Sequence, residues 1–326
     1  MTQRTRTWIV LAVALTITAA CTPSTPTATP AMTPSATAPA TRLPPSKTPA
    51  TPSPSSSATP AATSTPAGPA FGRIYLIVME NSSYNDIVDN SNAPYINSLI
   101  AAYGLATNYR GVGRPSEPNY LALFSGSTQG IGDDANHDFA GQNLADQLEA
   151  KGKTWKVFAQ NVPPDCFTGA TASAGEDGPG NYARKHEPAI SFTDIRSSPA
   201  RCGNITDFTH FDPAAADFEL IVPNLCNDMH DCPTATGDTF LQKFVPAILD
   251  SPTWQPNDLL LITWDESEGT ASNQVATLVI SKAVPQGFQS DVAHDHYSLL
   301  RTIEDAWGLG CLNKTCSANN LNEFFH

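Results

Sequence analysis

The stretch Ile74-Tyr75-Leu76-Ile77-Val78-Met79, followed directly by Glu80-Asn81, decides how this chain folds. The six apolar residues form an unbroken run, without the alternation of polar and apolar residues that a half-exposed strand shows. Such a run is typical of a strand that is buried on both faces, as in a parallel sheet covered by helices. We therefore predict a central parallel strand with two oxygen-bearing side chains at its carboxyl end.

Apolar runs and helical patterns alternate along the rest of the chain. The strongest further run, 259–264, stops at Asp265-Glu266. The other predicted strands are 275–280, 156–159 and 218–222, and the predicted helices are 95–102, 118–124, 143–150, 239–249 and 297–307. This alternation predicts an α/β fold with a mostly parallel central sheet and helices on both faces. The Gly-, Pro- and Cys-rich stretch 163–217 has little periodicity, and we expect an insertion that roofs the site.

Two of the predicted strands end in oxygen-bearing pairs, Glu80-Asn81 and Asp265-Glu266. Polar residues often end strands without any further role. However, the carboxyl ends of parallel strands meet at one edge of a sheet, where ligands gather. Two pairs of oxygen donors at that edge are what a hard divalent cation needs.

The first residues resemble an export signal. Arg4 and Arg6 precede an apolar stretch from Trp8 that is too short for a comfortable membrane span. Small residues then lead to Cys21, as in a bacterial lipobox, although Thr18 stands where leucine is typical. The alternative is an ordinary cleaved signal in which Cys21 is incidental. We predict that residues 1–21 are a lipoprotein signal, that Cys21 anchors the chain to the membrane, and that the protein is extracytoplasmic.

Composition separates a tether from a folded domain. Residues 22–69 are almost entirely Thr, Ser, Pro and Ala, so they have too little apolar surface to offset the entropy of ordering and are predicted to be a disordered tether. The catalytic domain is predicted to be 70–326. It contains 14 basic and 31 acidic residues, a formal charge of −17. This charge repels nucleic acid, so we expect no nucleic-acid partner.

Six cysteines remain when Cys21 is set aside, an even number that suggests disulfides in an exported chain. The short spacings favour the local bridges Cys226–Cys232 and Cys311–Cys316, which leaves Cys166 with Cys202. Six cysteines allow about 15 connectivities, so the sequence leaves other pairings open.

Six motifs occur in order along the predicted domain. They are IVMENSSY (77–84), RPSEPNYLALFSG (114–126), the weaker YARKHEP (182–188), IVPNLCNDMHD (221–231), LITWDESEG (261–269) and HDHYSLLRTIEDAWGL (294–309). In this order they resemble the phosphoesterase family of acid phosphatases and phosphatidylcholine-type phospholipases C, which looks like a branch of the alkaline phosphatase superfamily. The resemblance implies an alkaline-phosphatase-like sandwich that hydrolyses phosphate esters with a divalent metal.

Ser116 is the candidate nucleophile. It lies two residues before Pro118, which suits the first turn of a helix, so its hydroxyl would lie beside free N–H groups that can hold a phosphoryl oxygen. A bound cation would lower the pKa of the hydroxyl and make it reactive. The alternative is that Ser116 only caps the helix. Its position in the RPSEPNY motif favours the nucleophile.

The resemblance implies a metal held by the residues of two strand-end motifs and the nucleophile: Glu80, Asn81, Ser116, Asp265 and Glu266. Many acid phosphatases of the family have Asp-Asp where this chain has Asp265-Glu266, and the longer glutamate arm could change the geometry or the metal preference. All-oxygen ligation favours Ca²⁺, Mg²⁺ or Mn²⁺ over Zn²⁺.

The resemblance adds Asp228, His230 and His296 to the catalytic set, as residues that hold substrate oxygens or protonate the leaving group. Alternatively, these residues bind a second metal ion, as Asp and His do at related positions in two-metal alkaline phosphatases. The predicted substrate-binding residues are Asn119, His137 and His186. Alternatively, Asn119 is only part of the helix start and does not bind substrate.

The predicted reaction is an attack of Ser116 on phosphorus that gives a phosphoserine, with His230 or His296 as the acid and water completing hydrolysis. A small phosphomonoester is the favoured substrate. The alternatives are a phospholipase C-type phosphodiesterase and, outside enzymes, a lipid-anchored substrate-binding protein. A sulfatase would need an arginine soon after the nucleophile, and an α/β-hydrolase would need G-x-S-x-G. The chain has neither pattern.

Overall fold

The computed structural model describes residues 69–173 and 180–325. The strands are β1 (Ile74–Met79), β2 (Gly104–Arg110), β3 (Trp155–Ala159), β4 (Thr171–Ala172), β5 (Tyr182–Ala183), β6 (Ile205–Thr206), β7 (Phe218–Val222), β8 (Leu259–Trp264), β9 (Gln274–Ile280), β10 (Phe288–Ser290) and β11 (His294–Asp295). The α-helices are α1 (Tyr84–Ile87), α2 (Pro94–Ala102), α3 (Ser116–Ser125), α4 (Leu144–Ala150), α5 (Thr193–Arg196), α6 (Pro199–Cys202), α7 (Thr234–Leu249) and α8 (His296–Trp307). The predicted signal and, apart from Pro69, the predicted tether lie outside these ranges.

The central sheet has the strand order β10-β2-β9-β8-β1-β7-β3-β6, and β11 also pairs with β2. Pairing is parallel from β8 through β1, β7 and β3 to β6, whereas β9 runs antiparallel to both β8 and β2. The predicted mostly parallel sheet is therefore confirmed, with β9 as a reversed strand within it. A small separate ribbon joins β4 and β5.

The predicted central strand is the middle of this sheet. All six residues of β1 are fully buried, and Ile74 pairs with Phe218 of β7 on one side and Leu259 of β8 on the other. Burial of each large apolar side chain stabilises the fold by about 1.5–3 kcal/mol. A single charged replacement here, such as Val78→Asp, would place an unpaired charge in that core.

Helices cover both faces of the sheet. Leu76 and Val78 lie against Tyr120 of α3. Tyr75 points to the opposite face, because successive side chains of a strand alternate. There its ring centroid is 5.9 Å from that of Trp254, which follows α7. Helix α3 packs on α8, and α2 packs on α7.

Two parts of the fold differ from the sequence prediction. Strand β2 was not predicted, because Gly104, Thr107 and Asn108 break its apolar pattern. It forms because β9 and β10 pair with it on either side. Its pairing with β9 shifts register between Ala106 and Tyr109. In the stretch 163–217, the residues that the structure describes have more regular secondary structure than expected, since they include short helices and β6, which extends the sheet.

Three disulfides close loops in the described residues, and their pairing is the predicted one. They are Cys166–Cys202, Cys226–Cys232 and Cys311–Cys316. Structural disulfides persist in oxidising compartments, which agrees with the predicted extracytoplasmic location. Within residues 69–173 and 180–325, the helices are all too short or too polar to cross a membrane.

Candidate active site

The predicted strand-end residues of β1 and β8 lie side by side. The two strands pair in parallel register to their last residues, Met79 and Trp264. As a result, the Asp265 N–H donates to the Met79 carbonyl at 3.0 Å, and the Asn81 N–H donates to Asp265 Oδ1 at 3.1 Å. The Glu80 N–H donates to the carbonyl of Asp228, at 2.8 Å, which joins the loop after β7 to the same place.

Ser116 is the first residue of α3, and its side chain faces Glu80. Its hydroxyl donates to Glu80 Oε2 at 3.0 Å, and the residue is 1% exposed. The hydroxyl does not cap the helix. Instead, Asp134 Oδ1 accepts the Glu117 N–H at 3.0 Å, so a carboxylate from a separate loop occupies part of the helix start.

Asn119 holds the loop that precedes Ser116. Its Oδ1 accepts the N–H groups of Val112 and Gly113, each at 2.9 Å. Its Nδ2 donates to the carbonyls of Gly113 and Pro115, at 3.1 and 3.2 Å. Both polar groups of this fully buried side chain therefore bind backbone. The structure places Asn119 as a support of the nucleophile loop, not with the side chains expected to face substrate.

The nucleophile loop is also tied to the loop after β8. The Arg114 guanidinium donates to Ser267 Oγ at 2.9 Å and to Asn273 Oδ1 at 3.0 Å, and lies 3.5 Å from Glu266 Oε2. Close contact at Gly111 permits this approach, because a Cβ there would lie 2.5 Å from the Asp265 carbonyl oxygen. Arg114 thus connects the two motifs that carry the nucleophile and Glu266.

His186 lies between two buried carboxylates. Its Nε2 is 3.2 Å from Glu80 Oε1, and its Nδ1 is 3.3 Å from Asp228 Oδ2. The ring stacks on Tyr120 with centroids 5.1 Å apart. Burial, and secondarily the charge of Lys185, lowers the pKa of His186 well below its usual value. The weakest of the six motifs therefore supplies one of the most central residues.

His230 comes from a loop that the Cys226–Cys232 disulfide closes. Its N–H donates to Asp228 Oδ1 at 2.8 Å, and its Nδ1 lies 2.7 Å from Asp231 Oδ1. Between the two catalytic candidates, Met229 has φ of 86°, a left-handed backbone conformation that non-glycine residues rarely adopt. The closed loop holds this unfavourable conformation and presents Asp228 and His230 together.

Lys185 also reaches the site, although the sequence analysis gave it no role. Its Nζ donates to Asp134 Oδ2 at 2.9 Å and to His230 Nε2 at 3.2 Å. Burial acts to lower its pKa, but the hydrogen bond to Asp134 and the surrounding carboxylates more than offset this, so the net pKa is raised. The sequence feature that could have indicated this role is a lysine next to a candidate histidine, in the YARKHEP motif of a strongly acidic domain.

Two predicted histidines lie elsewhere. His296 is fully buried beneath the site, with Nδ1 3.0 Å from the Tyr109 hydroxyl and Nε2 2.6 Å from the Asp265 carbonyl oxygen. Burial lowers its pKa to about 4. His137 is partly exposed and pairs with Asp133 at 2.6 Å. Neither ring is among the side chains that contact Glu80 or Ser116.

The buried carboxyl groups of the site cannot all be charged without a cation. Burial, then Asp265 and Asp228, raises the pKa of Glu80 well above its usual value. Burial, then Glu266, raises the pKa of Asp265 to about 8, and burial also raises that of Asp228. Among the described residues, Asp265 Oδ2 has no hydrogen-bond partner, and Glu80 Oε1 and Asp228 Oδ2 lie near the His186 ring nitrogens without forming a hydrogen bond to them. Unpaired oxygens of this kind fit a divalent metal ion.

Comparisons with known proteins identify the family of this chain. The sequence pattern of the phosphoesterase family matches residues 87–310. The chain belongs to that family. The phosphoesterase is 33% identical over 245 residues to the phosphatidylinositol-3-phosphatase of Mycobacterium tuberculosis, covering 74% of this chain and 78% of that one. It is 30% identical over 272 residues to an acid phosphatase of Aspergillus fumigatus, covering 79% of this chain but only 60% of that protein.

The fold of the phosphoesterase is similar to that of an alkaline phosphatase superfamily protein from Vibrio parahaemolyticus. The two structures match with a TM-score of 0.50 and 11% identity, over 76% of this chain and 72% of the other. This likeness confirms the predicted alkaline-phosphatase-like fold. With 11% identity it shows the fold alone.

The phosphoesterase therefore offers two overlapping sets of metal donors that share Glu80. One is the predicted all-oxygen set, of which Glu80 contacts Ser116, and Asp265 binds the backbone of Asn81. Glu266 instead lies beside Arg114. The other set is Glu80, His186 and His230, whose ligand atoms all lie within 4.8 Å of one another. The second set was not predicted as a group, because His186 was assigned to substrate binding and His230 to catalysis.

Proposed function

We propose that this phosphoesterase is a metal-dependent phosphomonoesterase of the acid phosphatase type with Ser116 as its nucleophile. The contact between the Ser116 hydroxyl and Glu80 Oε2 carries the proposal. It places a serine at a helix start directly against the cluster of buried carboxylates that requires a cation. The names of the two relatives, both phosphatases, support a monoester over a diester.

The residues that would hold the metal are Glu80, Asn81, Ser116, Asp265 and Glu266, with His186 and His230 within reach of Glu80. A divalent ion there would lower the pKa of the serine hydroxyl and stabilise the charge of the phosphoryl group. The oxygen donors favour Ca²⁺, Mg²⁺ or Mn²⁺, whereas use of the two histidine nitrogens would favour Zn²⁺.

The chain's own groups account for the proton transfers. Ser116 gives its proton towards Glu80 Oε2, the acceptor it already contacts, and attacks phosphorus to form a phosphoserine. At the start of α3 the Glu117 N–H is already bound to Asp134 and Pro118 has no N–H, so the Ser116 N–H is the donor that would face a phosphoryl oxygen. His230 then protonates the departing alcohol oxygen. Water then hydrolyses the phosphoserine. In this step His230 accepts a proton from the water, and Glu80 returns its proton to Ser116.

We assign the acid role to His230 and a supporting role to His296. His230 is partly exposed at the site, and its Nε2 is available once Lys185 turns to another acceptor. Both ring nitrogens of His296 already have partners, and its contact with the Asp265 carbonyl holds the end of β8 in place. Asn119 likewise acts by fixing the loop before Ser116.

The test is turnover of a chromogenic phosphomonoester across pH by the wild type, Ser116→Ala and the control Ser125→Ala. Ser125 is buried in the same helix but donates only to the Leu121 and Ser127 carbonyls. We expect activity to disappear with Ser116→Ala and with a chelator, to persist in Ser125→Ala, and to return with one of the divalent ions. A rapidly quenched reaction should contain phosphoserine at residue 116. Full activity of Ser116→Ala would refute the proposal.

A substrate-binding protein would retain its ligand unchanged and would need neither a nucleophile nor a metal, so the same assay separates it from the enzyme. A phospholipase C-type enzyme would cleave the diester and leave the monoester intact. The proposed monoesterase prefers the monoester and cleaves the diester only slowly.

We further propose that the enzyme is anchored to the outer face of the cell membrane through a lipid on Cys21, with residues 22–69 as the tether. The short apolar stretch, the small residues before Cys21 and the three disulfides support this location. Metabolic labelling with a radioactive fatty acid should label the wild type and not Cys21→Ser. Equal labelling of both would show that Cys21 is not the anchor.

A further inference from the structure

Lys185 brings a positive charge to a site that is rich in carboxyl groups. Four carboxyl groups, those of Glu80, Asp228, Asp265 and Glu266, are buried around the nucleophile. A single divalent ion balances only half of their full negative charge. A phosphomonoester adds two further negative charges above about pH 6, whereas a phosphodiester adds one. Recognition of the monoester therefore needs another cation.

Two cationic side chains border this cluster in the described residues, and they differ in what their donors bind. The Arg114 guanidinium is bound to Ser267, Asn273 and the Thr270 carbonyl, all in or near the loop after β8. Its task is to hold that loop. The Lys185 ammonium has acceptors for two of its N–H groups, Asp134 Oδ2 and His230 Nε2. An ammonium has three donors, so one remains for an incoming oxygen.

The partners of Lys185 place its ammonium group between the start of α3 and His230, the proposed general acid. The same Asp134 carboxylate accepts the Glu117 N–H, next to Ser116. His230 lies on the other side and belongs to the donor group that includes Glu80. The lysine side chain is 21% exposed, so it is neither free in solvent nor sealed in the core. A phosphoryl group on Ser116 would lie near Asp134, Lys185 and His230.

We propose that Lys185 binds a non-bridging phosphoryl oxygen and thereby selects dianionic monoesters over monoanionic diesters. The inference rests on the proposed function. On binding, the ammonium exchanges its hydrogen bond to His230 Nε2 for one to the phosphoryl oxygen. This exchange leaves His230 Nε2 free to take up a proton from solvent and pass it to the oxygen of the leaving group.

The experiment compares hydrolysis of p-nitrophenyl phosphate, a monoester, with that of bis(p-nitrophenyl) phosphate, a diester, by the metal-loaded full chain at about pH 7, where the monoester is dianionic. The variants are Lys185→Met, Lys185→Arg and the control Lys153→Met. Lys153 is 28% exposed and pairs with Asp217 at 3.0 Å, at the opposite end of β7. Thermal unfolding checks that each variant is folded.

We expect Lys185→Met to lower kcat/KM for the monoester by about 100-fold and for the diester by less than about 10-fold, since one preorganised donor to a charged oxygen contributes about this much. Lys185→Arg should recover part of the monoester activity, and Lys153→Met should match the wild type. Equal losses for both esters would show a merely structural role and overturn the proposal, as would a Lys185→Met enzyme indistinguishable from the control.

Binding of inorganic phosphate, followed by calorimetry on the same proteins, separates the two proposals. If the wild type hydrolyses neither ester, the monoesterase function fails. Weaker phosphate binding by Lys185→Met than by Lys153→Met would still support the phosphoryl contact. Equal phosphate binding by both would refute that contact.

Discussion

The two halves of the active site are built in different ways. The strand-end half, Glu80, Asn81, Asp265 and Glu266, directly follows β1 and β8, so strand pairing fixes where these residues lie. The loop half, Lys185, His186, Asp228 and His230, comes from the turn after β5 and from the disulfide-closed loop after β7. Contacts between distant segments hold this half in place. The positions of the predicted metal donors are therefore set by sheet topology, whereas those of the residues proposed to handle protons and substrate depend on loop conformation.

Glu80 joins the two halves, so its replacement should have the largest effect. It contacts Ser116 on one side and His186 on the other. We expect Glu80→Gln to lower kcat/KM by at least about 10³-fold, because it removes a metal ligand and the serine's acceptor together. Metal content and turnover should be measured on the same sample. The control is Glu219→Gln, a fully buried carboxyl on β7. A variant that retains its metal and its rate would show that the halves do not share this residue.

Replacement of His230 and of His296 should have different effects on the two halves. His230→Gln, in the loop half, should lower kcat by about 10²-fold, as expected for loss of a general acid. The loss should be greater for an alkyl phosphate than for p-nitrophenyl phosphate, whose leaving group needs little protonation. His296→Gln, below the strand-end half, should weaken metal binding without changing this dependence on the leaving group. If instead His296→Gln changed the dependence on the leaving group and His230→Gln weakened metal binding, His296 would be the general acid and His230 the supporting residue.

The loop half should depend on its disulfide. Replacing Cys226 and Cys232 by serine should lower activity by about 10-fold, because Asp228 and His230 lose their fixed spacing around Met229. The Cys311–Cys316 bridge closes a loop of similar length at the far end of α8 and serves as the matched control. Each pair should cost about 2 kcal/mol of unfolding free energy. Equal activity of the two double variants would mean that the catalytic loop holds its conformation without the bridge.

A buried carboxyl outside both halves gives a smaller effect, on stability alone. Burial raises the pKa of Glu219 to about 8 in the folded chain. Below about pH 4.5 both folded and unfolded chains hold this proton, and between about pH 4.5 and 8 only the folded chain retains it. The unfolding free energy should therefore fall by about 1–3 kcal/mol as pH rises through that window. Urea unfolding of Glu219→Gln across pH should show a flatter profile, and an unchanged slope would contradict this assignment.

The strand-end half was predictable because its signal is local. An uninterrupted apolar run marks a buried strand, and the residue that follows must lie at the sheet's carboxyl edge. Glu80 and Asp265 needed nothing more. The loop half was predictable only through resemblance, which pointed to Asp228 and His230 but also to His296, a residue the structure places beneath the site. Lys185 was missed because its role depends on Asp134, about fifty residues away in the chain.

The sequence predicted the buried central strands and the order of the motifs, favoured the two short-range disulfides and, through the family resemblance, indicated the candidate nucleophile. The strands and the short bridges follow from neighbouring residues, since hydrophobic periodicity and loop closure act over short distances along the chain. The folded structure was needed to show that β2 joins the sheet, that Asn119 and His296 bind backbone, and that Lys185 lies between Asp134 and His230. Those outcomes depend on which buried polar atoms find partners, and the partners come from segments far apart in the sequence.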